Sequence, residues 1–322
     1  MTEGLQGPGL RSPTSEKLLI FKRCQKFFST FSKLAEKCPL NGGSSYFSGM
    51  LGGKRVVGNE LGWLFEYMTE KDQWIEIKSN YQVTRNRWKG CAINNTMYLL
   101  LGNSLDDRVE LLQIKFPSTI KTHCTIATPD EKQKSDTPDE AKYLCNRFAE
   151  QTFCTTPFPL QYVESHTITA IDCNTVMFVG GLVSSIDHRV SNLVYQGDFR
   201  EETNDIVWKE LPPLKRARME HFTFKLKNNV YVMGGLDEDL QYIACCERFS
   251  LKECKWFDCE FSLPYDLWDT SVVVSADETF AVITGGSSGK GNGVIIFTEQ
   301  NGFELMTTKL LNMRYDHASI LL

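Results

Sequence analysis

Short apolar runs that alternate with polar positions, and that are bounded by turn residues, follow one another along most of the 322-residue chain. Such alternation predicts half-buried β-strands rather than helices. The clearest stretch is 216–256, where a strand at His221–Leu226 is followed by a polar turn and a second strand at Val230–Met233. A double glycine ends the second strand, a third strand ends at Phe249, and Trp256 lies seven residues further on. The stretch therefore predicts one small antiparallel sheet.

This unit recurs along the chain. Double glycines at 180–181, 234–235 and 285–286 are spaced 54 and 51 residues apart. Weaker copies end at Gly58-Asn59 and Gly102-Asn103, although Gly52-Gly53 is an alternative marker for the first of these. Aromatic pairs follow the markers: Tyr67 with Trp74, Tyr195 with Trp208, Phe249 with Trp256, and Phe297 with Phe303. A steady period of about 50 residues indicates a repeat architecture.

The strand-ending double glycine, the Glu-x-aromatic strand Glu247-Arg248-Phe249, and the tryptophan seven residues beyond it resemble the kelch repeat. The resemblance covers roughly residues 16–322 and implies an all-β fold, a six-bladed kelch β-propeller with four-stranded antiparallel blades. The physical reason for such a ring is that one twisted sheet cannot bury both of its faces alone, whereas radially packed blades cover one another.

The predicted domain organisation is a flexible lead at 1–15 and a propeller at 16–322. We expect the C-terminal strand within 314–322 to pair with residues 16–40 as a split blade 1, because this pairing closes the ring and removes exposed sheet edges. Leu18–Phe21 also aligns with a third strand, which is an alternative for this segment. Blades 2 to 6 follow in chain order, and the stretch 216–256 is blade 5.

Blade 3 is predicted to carry a polar insertion near 117–145, since the double glycine at 180 comes 78 residues after Gly102. Its fourth strand then lies either near His123–Ala127 or near Gln151–Thr156. A seventh, strongly diverged blade in this region is the alternative.

Composition narrows the class of protein. A net charge of −5 argues against a general binder of nucleic acid or of anionic membranes. The sequence has no run of 18 apolar residues, so it does not predict a transmembrane helix. Its polar N-terminus lacks the apolar core of a secretory signal. The eleven cysteines are scattered without a framework, which favours reduced thiols and a cytoplasmic protein.

Three histidines occupy equivalent places at the start of first strands: His166, His221 and His317. A shared metal ion would need all of its ligands at about 2.1 Å, which is difficult for histidines on blades 4, 5 and 1. In kelch repeats a histidine here hydrogen-bonds between blades, which we take as the better interpretation. The sequence lacks the Tyr, His and Cys site residues of kelch-like oxidases such as galactose oxidase. It also lacks a P-loop, a GxSxG motif and an HExxH motif. We expect no enzyme, no cofactor and no metal site.

The resemblance implies peptide binding by two sets of loops, those after the double glycine and those leading into each first strand. The first set corresponds by position to Ser184, Asp237, Glu238, Ser287 and Ser288. The second set corresponds to Arg85, Arg87, Arg216, Arg218, Glu220, Tyr265, Trp268, Arg314 and Tyr315. Arg87, Arg218 and Arg314 recur at similar repeat positions, and because arginine binds carboxylates and phosphates with two parallel hydrogen bonds, we expect an acidic or phosphorylated peptide as ligand.

The expected function is a non-enzymatic protein-interaction module. Kelch propellers most often serve as the substrate-recognition part of BTB-kelch adaptors for cullin ubiquitin ligases, and an actin-associated or other cytoskeletal scaffold is the alternative. The chain contains no BTB region, so we expect contact with a cullin ligase only through a region outside it. It is then either a C-terminal portion of such an adaptor or a kelch-only form. Nucleic acid and membranes are not expected partners.

Overall fold

The described part of the chain is a β-propeller with four-stranded antiparallel blades. The computed structural model describes 46–51, 54–59, 64–68, 73–77, 89–94, 96–101, 109–115, 150–154, 156–184, 186–200, 202–203, 205–286, 292–307 and 309–310. Within these residues, twenty strands form five four-stranded sheets, and we number them as blades 2 to 6.

Each blade is a meander of consecutive strands. Blade 2 contains β1 (Tyr46–Leu51), β2 (Lys54–Asn59), β3 (Leu64–Met68) and β4 (Gln73–Ile77). Blade 3 contains β5 (Lys89–Ile93), β6 (Thr96–Leu101), β7 (Glu110–Lys115) and β8 (Glu150–Phe153). Blade 4 contains β9 (Thr167–Ala170), β10 (Thr175–Val179), β11 (Val194–Arg200) and β12 (Asp205–Leu211). Blade 5 contains β13 (Phe222–Leu226), β14 (Asn229–Met233), β15 (Cys245–Ser250) and β16 (Lys255–Ser262). Blade 6 contains β17 (Ser271–Val274), β18 (Ala281–Thr284), β19 (Val294–Thr298) and β20 (Gly302–Leu305).

The first strands of the blades lie side by side, and this arrangement places them at the centre of the propeller. β1 contacts β5, β5 contacts β9, β9 contacts β13, and β13 contacts β17. Within a blade the register follows the sequence pattern: Phe249 pairs with Val230 on one side and with Trp256 on the other. The predicted strand order of blade 5 is therefore confirmed.

The core lies between blades because each strand directs alternate side chains to opposite faces of its sheet. Phe222 and Phe224 of blade 5 pack with Ile283 and Phe297 of blade 6 in one buried cluster. Equivalent clusters fill the space between blades 3 and 4 and between blades 4 and 5. In blades 4, 5 and 6 the aromatic residue of the repeat (Tyr195, Phe249 and Phe297) is thus part of a core cluster that joins neighbouring blades.

The double glycines lie where the backbone closely approaches the segments that lead into first strands. A Cβ added at Gly234 would lie 2.4 Å from the carbonyl oxygen of Leu267, which leads into blade 6, whereas Gly235 approaches the segment that leads into its own blade. Gly234 and Gly235 have φ of 68° and 89°, and a Cβ added at Gly235 would lie 2.3 Å from the carbonyl oxygen of Met219. Only glycine combines that backbone conformation with that approach. In blade 2 the equivalent position is Gly58-Asn59, which ends β2, whereas Gly52-Gly53 lies between β1 and β2.

The fourth strand of blade 3 occupies the second of its two predicted positions. β8 pairs with β7, so the chain from 116 to 149 runs between the third and fourth strands of one blade. That segment lies outside the described residues, as do residues 1–45 and 311–322 from which the split blade 1 was predicted. The flexible lead, the split closure and the total of six blades remain predictions.

The cysteines in the described ranges agree with the prediction of reduced thiols. All seven cysteines in the described ranges are free. Burial raises the pKa of Cys91 and of Cys246 to about 12, so these thiols stay protonated. Within the same ranges, no helix has the length and apolar character required to cross a bilayer.

Candidate functional site

Two sets of loops meet on one face of blades 4 to 6. The loops after the second strand occupy 182–184 with 186–193 in blade 4, and 236–244 in blade 5. The segments that lead into first strands occupy 157–166, 212–221 and 263–270. Single β-bridges join Leu182 to Glu164 and to Val190, and join Leu236 to Met219 and to Tyr242. We call this surface the loop face.

The loop face is built on a small apolar cluster of its own. Leu182, Val190, Met219 and Leu236 are buried together, and Trp268 packs against them with Tyr162 and Ala217. The cluster takes residues from both loop sets and from blades 4 and 5. Because packed side chains restrict the backbone beneath them, the loops have a defined shape on which exposed groups can be positioned.

Backbone hydrogen bonds between equivalent residues connect the segments around the centre of this face. The N–H of Glu220 donates to the carbonyl of Ser165 at 3.0 Å, and the N–H of Asp269 donates to the carbonyl of Glu220 at 3.0 Å. All three residues have positive φ, at 52°, 51° and 57° in chain order. The same strained conformation thus recurs in three blades and positions the segments leading into the first strands.

The loop face exposes several large apolar side chains. Five large hydrophobic side chains are exposed in the described part of the chain, and three of them lie on these loops: Ile186 at 93%, Leu240 at 63% and Tyr242 at 50%. Single exposed apolar residues are common, but neighbouring ones on a rigid surface are typical of interaction sites.

Local hydrogen bonds hold the blade 5 loop in a shape that projects Leu240. The Asp237 carboxylate accepts N–H groups from Asp239 at 3.0 Å and from Gln241 at 2.9 Å. The N–H of Leu240 donates to the carbonyl of Asp237 at 3.1 Å, and Leu240 has a φ of 58°. A leucine in the left-handed region is conformationally unfavourable, and here its side chain gains little burial in return.

The charges around Leu240 and Tyr242 are mainly negative. Asp237, Glu238 and Asp239 precede Leu240 directly, and residues 236–243 contain no basic side chain. In the adjacent blade 4 loop, a hydrogen bond with the Ser184 side chain lowers the pKa of Asp187, so this group is also a carboxylate at neutral pH.

Arg218 does not belong to the binding surface, and this prediction was wrong. Its side chain is 0% exposed, and one guanidinium nitrogen donates to Oε1 of Glu247 at 2.7 Å. The other donates to the carbonyls of Gly234 and Cys245 at 3.1 and 3.2 Å. Arg218 therefore holds the blade 5 sheet against the segment that leads into it, because a buried charge needs its partners inside the protein.

The remaining predicted residues have different surroundings. Arg216 and Glu238 are exposed, whereas the other predicted residues within the described ranges are half-buried: Ser184, Glu220, Asp237, Tyr265 and Trp268. The hydroxyl of Ser165 donates to the carboxylate of Glu220, so this predicted contact residue already has a partner on blade 4. Six predicted residues lie outside the described part of the chain: Arg85, Arg87, Ser287, Ser288, Arg314 and Tyr315.

Sequence reasoning missed the three apolar residues that the loop face exposes, Ile186, Leu240 and Tyr242. The available signal was an apolar side chain within a polar loop directly after a double glycine. The same reasoning overlooked Glu247 as the partner of Arg218, although a charged residue inside an apolar strand indicates a buried ion pair.

The two described histidines differ in their contacts. Nε2 of His221 lies 3.0 Å from the hydroxyl of Thr167 on the neighbouring first strand, which confirms the predicted inter-blade hydrogen bond for this histidine. The prediction was wrong for His166, whose two ring nitrogens are buried without a hydrogen-bond partner among the described residues. Its ring instead stacks on Phe178 of the same blade, with centroids 5.2 Å apart. Burial lowers the pKa of His166 to about 3 and that of His221 well below its usual value, so both imidazoles are neutral. His317 lies outside the described residues.

Metal-ligating side chains do not gather on the described part of the loop face. Over the whole of the described ranges, no three His, Cys, Asp or Glu side chains come together as a potential metal site. The arrangement of this face is suited to contact with another molecule through exposed apolar and charged groups.

Comparison with known proteins adds no family assignment. No family model matches the sequence, and no curated protein matches it at a significant level. The propeller fold is thus established by the structure, and the resemblance to kelch repeats rests on the sequence motifs described above.

Proposed function

We propose that the chain is a protein-interaction module, a six-bladed kelch-type propeller that binds a segment of another protein on its loop face. The observation that carries this proposal is the exposure of Ile186, Leu240 and Tyr242 on two adjacent loops with a buried apolar foundation. Binding residues commonly lie on loops that a rigid scaffold positions, and the propeller fold is compatible with this use.

The more specific role that we propose is substrate recognition of the kind found in BTB-kelch ubiquitin ligase adaptors. It follows from the resemblance of the repeat motifs to kelch repeats. A cytoskeletal scaffold would use the same surface, so the identity of the captured partner separates the two roles.

Affinity capture from cell lysate with three forms of the protein tests the proposal. The first is the wild-type chain, and the second is the loop-face variant Leu240→Asp/Tyr242→Asp. The third is a control, Glu202→Lys/Glu253→Lys, whose two sites are exposed turns at the opposite ends of the strands. Circular dichroism and thermal unfolding should show that all three forms are folded.

The proposed function predicts a set of proteins captured by the wild type and by the control but lost with the loop-face variant. Components of ubiquitin ligases or their substrates would support the adaptor role, and actin or its associated proteins would support the scaffold role. Capture of the same proteins by all three forms would place binding elsewhere and contradict the proposal.

A further inference from the structure

We infer that the loop face over blades 4 and 5 selects a basic protein segment that places an apolar side chain against Leu240 and Tyr242. This inference rests on the proposed function and specifies the chemistry of its partner. The observation behind it is that exposed apolar side chains lie next to carboxylates. Among the described residues, no cation neutralises the charge of these carboxylates.

The carboxylates beside the apolar residues are available for a partner. Asp237 uses its carboxylate within the loop, but Glu238 and Asp239 are exposed. Among the residues that the structure describes, the carboxylates of Glu238 and Asp239 have no hydrogen-bonding or ionic partner. Three consecutive acidic residues repel one another, and the loop contains no cation to offset this repulsion.

Most cations near the loop face are already paired. Arg218 is buried against Glu247, the ammonium of Lys215 lies 2.6 Å from the Asp258 carboxylate, and that of Lys89 lies 4.0 Å from Asp269. On the described part of the face this leaves Arg189 and Arg216 as the exposed cations without such a pair. They stand against six carboxylates that are exposed or half-exposed: Asp187, Glu220, Asp237, Glu238, Asp239 and Asp266. The charges of the described residues around Leu240 and Tyr242 are therefore mainly negative, and such charges attract a basic segment and repel an acidic one.

This balance differs from the expectation of an acidic ligand. That expectation depended on the convergence of Arg87, Arg218 and Arg314 at the rim. Arg218 is committed to the protein interior, and the other two lie outside the described residues. On the described part of the loop face, the exposed arginines that could bind a carboxylate or phosphate are Arg216 and Arg189. Both are separated in sequence from the blade 5 loop.

The backbone of the blade 5 loop supports a role in binding rather than in folding. Leu240 adopts a left-handed φ of 58° and is 63% exposed, so its side chain adds strain without a matching gain in buried area. Tyr242 is half-exposed next to it, and exposed tyrosines are frequent energetic centres of protein interfaces. An apolar anchor flanked by basic residues matches both the apolar and the acidic side chains.

A random peptide library displayed on phage is the probe. The library is selected on the folded wild-type chain, and enriched peptides are synthesised and measured by fluorescence polarisation against variants. The charge variant is Glu238→Lys/Asp239→Lys, and the apolar variant is Tyr242→Ser. The matched control is Glu202→Lys/Glu253→Lys, which makes the same change in charge on the opposite face.

The expected result is enrichment of peptides with a net positive charge and at least one aromatic or aliphatic residue. Their affinity should fall about tenfold or more in the charge variant and in the apolar variant, and should stay within about twofold in the control. Affinity should also fall as salt is raised, because the exposed charges are screened.

Several results would overturn the inference. Enriched acidic peptides that depend on Arg216 would restore the acidic ligand, and basic peptides that ignore both loop-face variants would place the site elsewhere. Self-association of the chain that the same variants abolish would assign the face to a second copy. Failure to enrich any peptide would also contradict the inference. The proposed function is tested separately, by whether the Leu240→Asp/Tyr242→Asp variant loses proteins that the wild type captures from lysate.

Discussion

Arg218 and Glu247 form an ion pair at 2.7 Å in which the two side chains are 0% and 2% exposed. The pair joins the segment between blades 4 and 5 to the third strand of blade 5. The second carboxylate oxygen of Glu247 accepts the backbone N–H of Lys215 at 2.7 Å, so two residues of that segment are held by one glutamate. The arrangement makes Arg218 a structural residue.

Arg218→Ala should lower the free energy of unfolding by about 3–5 kcal/mol, because it leaves the Glu247 carboxylate buried without its partner. Chemical denaturation followed by tryptophan fluorescence measures the change. Arg216→Ala, two residues earlier and exposed, is the matched control and should change stability by no more than about 0.5 kcal/mol. Equal effects of the two substitutions would contradict the assignment. A binding defect of an Arg218 variant is therefore not informative about the loop face.

Gly235→Ala should destabilise the fold through the backbone. Gly235 has a φ of 89°, and the new Cβ would lie 2.3 Å from the Met219 carbonyl oxygen, where no flexible side chain can yield. The strain alone is about 1–3 kcal/mol, and displacement of the neighbouring segment adds to it. Thermal unfolding measures the loss, and a melting temperature equal to that of the wild type would show that Gly235 and the segment leading into β13 do not approach as described.

Leu240→Gly should separate binding from stability. Glycine tolerates the left-handed φ of 58°, and the leucine side chain is mostly exposed, so the substitution removes strain together with a small buried area. We expect the free energy of unfolding to change by no more than about 1 kcal/mol in either direction. Binding of a loop-face partner should nevertheless weaken markedly. A large loss of stability would mean that Leu240 belongs to the core.

The buried histidines should make stability depend on pH. Burial lowers the pKa of His166 to about 3, with the Lys89 ammonium as a smaller cause, and lowers that of His221 well below its usual value. An unfolded histidine titrates near pH 6.5. As the pH falls below that value, the unfolded state takes up protons that the folded state does not, so stability decreases. Above it both states are neutral and the full stability is present.

Below pH 6.5, the free energy of unfolding should fall by about 1.4 kcal/mol per pH unit for each such histidine. Denaturation at several values between about pH 7 and pH 5 measures it, and His166→Gln should reduce the slope by roughly one histidine. Proton NMR of the folded wild type provides an independent check, since an imidazole signal from His166 that titrates near pH 6 would contradict the prediction even if the variant is unstable.

The strand pattern and the repeat could be predicted because they depend on neighbours in the sequence. Alternation of apolar and polar positions defined β13 and β14 almost to the residue, and the Gly234-Gly235 pair marked the end of β14. The spacing of these markers predicted a repeat architecture, and the resemblance to kelch repeats implied that each repeat is a four-stranded blade. The position of β8 was left between two alternatives, because a long polar segment separates it from β7.

The sequence by itself thus determined the propeller repeat, since period-two alternation, glycine turns and aromatic anchors all act over a few residues. Tertiary structure decided which charged side chains reach the surface. Arg216 and Arg218 are two residues apart in one basic run, yet one is exposed and the other is enclosed by Gly234, Cys245 and Glu247. That enclosure depends on strands folded back from 16 to 29 residues further along the chain. The charge of the loop face could not be predicted for the same reason. A charged side chain contributes to the surface potential only when no partner from elsewhere in the chain neutralises it.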